Sequence, residues 1–485
     1  MIRRSRFTTS TSNVNSTSNG DDQMQNQLQV TSDSFSDFDE RASLLTSISR
    51  VVATSVAAST TMTDTQYDDE DDAINTDVDL QDLPPTYSLQ YRIVYWTFVS
   101  FPTLLTDLVR LTVFVVLLAP AFFSFLKFYC TCDRKVLYYK KASDTSRSIR
   151  NQMDIYSTIE NNSNNTDNLK PVLIFFTGGA WVIGYKMWGA FLAKVFAAMG
   201  VVVVVPDYRN YPIATVPAMV QDTEQAIQWT LDNVHLYGGD PTKVMLAGQS
   251  AGGHLASVVL LQKALKLVKG EPITGFKPTD LLGFCSISAP SDVQAMATNF
   301  QKHGLDQSFV QSLFGVKANS AVSMDDNDPQ RLVEELQRIM ENNKYNGYSS
   351  NEDAHNTPAA TTILSMDQVL PPMSIFHGTA DQTVPFEVSE RFASSLQDAG
   401  AQAEYIQYDG WSHTDPILEA IMEADHRFHC DLYDRLYQSI QKKRNNSSRE
   451  QLSSSMPPKL DDTLPECAQL CPSPLVKAAR FCNPF

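Results

Sequence analysis

Basic residues are in deficit: 38 Lys and Arg stand against 55 Asp and Glu in 485 residues, a formal net charge of −17. Phosphate backbones are gripped by clustered Lys and Arg, and no basic cluster here overrides the acidic balance, so a general nucleic-acid binder is excluded. Cysteine is also scarce. The seven are scattered, odd in number and nowhere spaced C-x-x-C. That spacing points to neither a zinc site nor a disulfide framework and suits a reducing compartment. No metal or cofactor is expected. No apolar run lies near Met1, so no cleavable secretory signal is expected. What remains is a chain 43% apolar, long enough for one large domain with tails or for two domains.

Residues 1–86 are rich in Ser, Thr, Asn, Asp and Gln and contain the run DDEDD. Such a segment buries too little apolar surface to offset its ordering entropy, and disorder is expected there. Its first twenty residues weakly resemble a transit peptide; a plain flexible tail is the expectation. Pro84-Pro85-Thr86-Tyr87 has the P-P-x-Y form that WW domains bind, against the alternative of an ordinary loop. Residues 87–132 are expected to be a hydrophobic, membrane-anchoring segment, against the alternative of a buried core helix. The run from Leu111 to Leu126 is uncharged but a little short of the roughly 20 residues of a full span unless Lys127 snorkels. The stretch before it, broken by Pro102, reads as interfacial or as the first arm of a hairpin. Lys127, Arg134, Lys135, Lys140 and Lys141 follow the run and only Arg92 and Arg110 precede it, which places the following domain in the cytosol. Cys130 and Cys132 are candidate palmitoylation sites, and Cys482 sits with CaaX spacing but with proline in the second aliphatic place.

Residues 133–443 alternate short apolar runs with helical patterns. PVLIFF, VVVVVPDY, KVMLA, LLGFCSIS, PMSIFHG and AEYIQYDG suit parallel strands buried on both faces. Between them lie amphipathic stretches, two of them ended by Gly200 and Gly400 as C-terminal caps. This alternation predicts an α/β fold: a mostly parallel, doubly wound sheet with helices on both faces. Residues 315–360 break the rhythm with polar runs around RLVEELQRIM. They read as an insertion, a lid or a tolerated surface loop. Residues 444–485 are expected to be a flexible tail.

GQSAGG, residues 248–253, follows the KVMLA run directly and precedes a helical pattern. A serine held between small residues at a strand-to-helix turn is the signature of a nucleophile elbow, and Ser250 is the candidate. It needs a base, a group that orients the base, and an oxyanion site. Of the eight histidines, His235, His303 and His355 fall in surface or inserted segments. His254 reads as structural, and His377 as a buried partner of its loop. His426 and His429 share an acidic helix at i, i+3, a weak metal motif. His413, in DGWSHTD after the last strand, is where a base reaches over a sheet. FHGTADQTVP offers Asp381 after the preceding strand. The order Ser250, Asp381, His413 is the one this kind of sheet uses. Gly178 and Gly179 in FFTGGAW, with the N–H of Ala251, are the candidate oxyanion hole. Trp181 beside them is a candidate substrate-binding residue.

These strings resemble the α/β-hydrolase fold and, more narrowly, the isoprenylcysteine α-carbonyl methylesterase family. The resemblance rests on FFTGGAWVIGYKMWGA, DYRNYP, YGGDPTKVMLAGQSAGGHLA, LPPMSIFHGTADQTVP and WSHTD, and covers roughly residues 87–437 outside the insertion. Thr177 stands where many esterases have the His of His-Gly-Gly, and Gln249 where hormone-sensitive-lipase relatives have Asp. The resemblance implies hydrolysis of the methyl ester of a prenylated C-terminal cysteine, carried as a small molecule or on a protein, at an endoplasmic reticulum or Golgi membrane. Two other readings stand beside it. One is a general carboxylesterase or arylformamidase of the same fold. The other is a hydrolase-fold receptor or binding protein without turnover.

Overall fold

The computed structural model describes residues 101–157, 169–302, 307–316, 323–349, 364–446 and 470–483. The acidic tail, the P-P-x-Y motif, His303, His355, and the sequons at Asn161 and Asn164 lie outside them. Eight strands form one sheet: β1 (Arg134–Tyr138), β2 (Gln152–Tyr156), β3 (Lys170–Phe176), β4 (Val202–Pro206), β5 (Gly239–Gln249), β6 (Gly283–Ile287), β7 (Met373–Gly378) and β8 (Ala403–Tyr408). Their order is β1-β2-β4-β3-β5-β6-β7-β8. β1 and β2 are antiparallel to their neighbours, and all the pairings from β4 to β8 are parallel. The six apolar runs all became strands. β1 and β2 were not anticipated: RKVLY is a short, charged edge strand, and QMDIY is short and carries the charge of Asp154 although it lies between β1 and β4.

Besides the single turns Met366–Val369 and Glu419–Met422, the α-helices are α1 (Phe101–Leu117), α2 (Ala119–Thr131), α3 (Ala190–Ala198), α4 (Val216–Asn233), α5 (Ala251–Val268), α6 (Val293–Lys302), α7 (Gln307–Leu313), α8 (Pro329–Ser349), α9 (Phe386–Asp398), α10 (Arg427–Asn446) and α11 (Ser473–Cys482). Alternation along β3 shows why both faces are covered. Val172, Ile174 and Phe176 enter a core shared with α4, α5, α8 and α9. Leu173 and Phe175 enter a second core shared with α1, α2, α3, α10 and α11. Side chains of a strand point alternately to opposite faces, so an unbroken apolar run needs a layer of helices on each side.

Three segments differ from expectation. Within the expected flexible tail, Ser473–Cys482 is helix α11, because its apolar Val476 and Ala479 pack into the second core. RLVEELQRIM lies within α8 and is no surface loop: Leu332, Val333 and Leu336 are buried in the first core, and α8 packs along α5. The hydrophobic segment is two helices rather than one span. α1 and α2 meet at 67° around Leu118, with Pro120 in the first turn of α2, where its missing N–H costs no hydrogen bond. No single described helix is long and apolar enough to cross a membrane. The pair buries Phe114, Leu118, Ala121 and Phe125 in the second core; the Phe125 ring lies 4.3 Å from that of Phe191. Its opposite side exposes Leu108, Val109, Val115, Val116 and Phe123.

Candidate active site

β5 is the central strand, and its carboxyl end delivers Ser250 directly to the start of α5. Ser250 has φ +53° and ψ −126°, a conformation that L side chains rarely adopt. The neighbours make it tolerable. A Cβ on Gly252 would come within 2.4 Å of the Phe176 carbonyl, so only glycine lets α5 start this close to β3. The Ser250 N–H donates to the Ile287 carbonyl on β6 (2.8 Å), and its own carbonyl accepts from His254 N–H (3.0 Å).

The three residues picked out by order come together. Ser250 Oγ donates to His413 Nε2 at 2.8 Å, and His413 Nδ1 donates to Asp381 Oδ2 at 2.7 Å. Asp381 accepts two further bonds at Oδ1, from the Thr383 and Val384 N–H groups (both 2.9 Å). A third group reaches Oδ2: His377 Nε2, at 3.0 Å. Burial alone would raise this carboxyl. The His413 and His377 rings and their hydrogen bonds outweigh it and hold Asp381 well below the usual carboxylate range. It is therefore an anion that orients His413 and fixes its proton on Nδ1. His377 is buried, as expected, accepting from Ser389 Oγ (2.7 Å) and donating to the Val384 carbonyl (3.0 Å).

The strand-β3 loop lies against the serine. A Cβ on Gly178 would meet the Ser250 Cβ at 2.7 Å and Gln249 Oε1 at 2.2 Å. The Gly178–Gly179 backbone and the Ala251 N–H thus border the serine together. The motif DYRNYP buttresses this loop. Tyr208 Oη donates to the Thr177 carbonyl (2.9 Å), and Asn210 Nδ2 to that of Gly184 (2.8 Å). Arg209 holds Asp222 with two bonds, at 2.7 and 2.8 Å. Trp181 is buried under the loop, edge-on to His254 (5.1 Å between centroids) and to Phe314. Burial holds His254 at a pKa of about 4, so the ring is neutral, and its Nε2 donates to the Asn327 carbonyl. His254 is structural, as expected. Among the described residues no group of three His, Cys, Asp or Glu is placed to hold a metal ion; His426 and His429 stand as a pair.

Sequence reading missed what holds the His413 loop. Gln249, beside the nucleophile, donates from Nε2 to the His413 carbonyl (3.2 Å). On the other side Ser412 N–H donates to Asp415 Oδ2 (2.8 Å), and Thr414 Oγ1 to Glu419 Oε1 (2.8 Å). Cys482 is half-buried, Cys130 exposed, and Cys132 is half-buried beside Arg134.

A family model described as BD-FAE matches residues 153–396. The isoprenylcysteine alpha-carbonyl methylesterase of Arabidopsis thaliana is 30% identical over 383 residues, 79% of this chain and 77% of the relative. The chain belongs to the isoprenylcysteine α-carbonyl methylesterase family. A probable member from Oryza sativa subsp. japonica is 33% identical over 315 residues, 65% of this chain and 66% of its own. Among solved structures, an inhibited esterase B from Lactobacillus rhamnosis matches with a TM-score of 0.50 at 14% identity, over 70% of this chain and 100% of that one. The fold is therefore that of the α/β-hydrolases, and the chain is a carboxylic ester hydrolase.

Proposed function

We propose that the chain hydrolyses the methyl ester of a prenylated C-terminal cysteine through Ser250, His413 and Asp381. The observation that carries the chemistry is the continuous relay from Ser250 Oγ through His413 to Asp381. In the first step Ser250 Oγ attacks the ester carbonyl while His413 Nε2 takes its proton. The carbonyl oxygen becomes an oxyanion facing the N–H groups of Ala251 and of Gly178 or Gly179. Asp381 steadies the resulting imidazolium. As the tetrahedral species collapses, His413 gives the proton to the departing methoxide. Methanol leaves and the acyl group stays on Ser250. Water then enters, gives a proton to His413 and attacks the acyl carbon. The free carboxylate is released and Ser250 recovers its proton.

The family supports the substrate, and the α1–α2 pair supports its location. A prenyl chain partitions into a bilayer at about 0.8 kcal/mol per methylene. The exposed apolar side of the pair would rest the catalytic domain on the same surface. We place it on the cytosolic face of an endoplasmic reticulum or Golgi membrane.

The test is a paired kinetic assay on S-farnesylcysteine methyl ester and the same ester without the prenyl chain, with a formylated arylamine as third substrate. A much higher kcat/KM for the prenylated ester is expected, because remote binding energy is used at the reacting carbonyl. Equal efficiency on the two esters would make this a general carboxylesterase, and preference for the formamide an arylformamidase.

A further inference from the structure

The catalytic loop is closed by a residue far from it in sequence. Asn483 follows α11 and is 3% exposed. Its Nδ2, which carries two hydrogens, lies within hydrogen-bonding distance of three acceptors that share them: Ser412 Oγ (3.1 Å), Thr414 Oγ1 (2.9 Å) and Glu419 Oε1 (2.8 Å). Ser412 and Thr414 are the two residues flanking His413. One carboxamide therefore ties both sides of the base to one point.

The rest of α11 repeats the attachment. Arg480 Nε and Nη2 reach Asp415 Oδ1 at 2.9 and 2.7 Å, and Nη1 pairs with Glu423. Val476 and Ala479 are buried in the core that also holds Trp411, Ile421 and Met422. Leu470 N–H donates to the Met422 carbonyl (3.0 Å). On its far side Asn483 offers its carbonyl to Arg110 Nη2 of α1 (2.9 Å). A path of hydrogen bonds thus runs from α1 through Asn483 to the residues around His413.

We infer that Asn483 is a positioning residue for the hydrolysis: its carboxamide sets the His413 loop over Ser250, and its backbone carbonyl links that loop to α1. It touches neither substrate nor reacting atoms. It acts by fixing the imidazole against drift, where a displacement of about 1 Å is enough to cost on the order of 100-fold in rate. Asn suits the position because its amide donates several bonds and carries no charge beside Asp415, Glu419 and Glu423. Aspartate, of the same shape, would supply none of those donors.

This inference rests on His413 being the base, and the experiment separates the two. Full-length Asn483→Ala and Asn483→Asp are compared with wild type on p-nitrophenyl acetate, with Ser250→Ala, His413→Ala and the exposed neighbour Phe481→Ser alongside. For both Asn483 variants kcat falls at least about tenfold. KM stays within twofold, and the acid limb of the kcat/KM profile moves, while Phe481→Ser behaves as wild type. Full kcat in both Asn483 variants, with His413→Ala inactive, overturns the inference and leaves the triad standing. Activity in His413→Ala overturns the triad itself. A double-mutant cycle of the isosteric Asn483→Asp with Thr414→Val covers the case in which Asn483→Ala folds poorly. Non-additive losses of kcat place Asn483 on the loop, and additive ones reject it.

Discussion

At the residue scale the site depends on one strained serine and one carboxylate held by four partners. Ser250 sits at φ +53° so that its Oγ stands clear of β5 and meets His413. Ser250→Ala keeps the same backbone and loses only the attacking oxygen. The expected outcome is a folded protein with ester turnover reduced about 10⁴-fold or more and no labelling by a fluorophosphonate probe. Retention of a tenth of wild-type turnover would reject Ser250 as nucleophile. Asp381→Asn should cost a similar factor, because an amide opposite His413 Nδ1 favours the wrong tautomer. His377 also reaches Asp381, yet is buried away from the serine, so His377→Ala should lower turnover far less than His413→Ala does.

At the element scale, legibility followed burial. β3 to β7 were readable because each carries an apolar run buried on both faces, and β8 (AEYIQY), a half-buried edge strand, because its apolar residues alternate with polar ones. β2 was not, because it mixes core with a buried ionic cluster: Asp154 is paired with Lys186 (2.6 Å) and Arg134 (3.3 Å), and its charge hides the strand pattern. The grouping of Ser250, His413 and Asp381 was readable because each follows its own strand. The Asn483 contacts were not, because a lone Asn beyond a helix has no periodicity or motif to mark it. Helix α10 carries a similar surprise. His429 is fully buried among Phe196 and Phe428, and neither ring nitrogen has a hydrogen-bond partner among the described residues. Burial, with His426 nearby, depresses its pKa to about 3. The unfolded chain binds a proton there near pH 6.5 and the folded one does not until about pH 3. Stability is therefore retained above pH 6.5 and falls as the pH drops through that window. His429→Leu removes the penalty. Its loss of unfolding free energy between pH 7 and pH 5 should be smaller than wild type's by about 2 kcal/mol, read from urea midpoints at the two pH values. An unchanged pH slope would show that His429 is not the titrating group.

At the scale of the whole molecule, one side of α1 and α2 is apolar and exposed while the other is built into the core. Replacing Val109, Val116 and Phe123 together by Asp should release the protein from membranes into the soluble fraction without loss of turnover on a water-soluble ester. Continued pelleting with membranes would remove this face as the anchor. The sequons at Asn161, Asn164, Asn445 and Asn446 report the orientation. A cytosolic domain carries no glycan at any of them, and a mobility shift on glycosidase treatment traced to one would reverse the assignment. The bond between Arg110 and Asn483 spans 373 residues, and that has a consequence for how the protein is made. Chains leave the ribosome N-terminal end first, at about 5–20 residues per second. The complete sheet and the elbow are therefore available to fold for about 3–13 seconds before α11 emerges. Contacts this distant in sequence are the slow ones to close. Until α11 docks, the His413 loop lacks its Asn483 and Arg480 contacts, so the inferred positioning of the base follows the formation of the sheet.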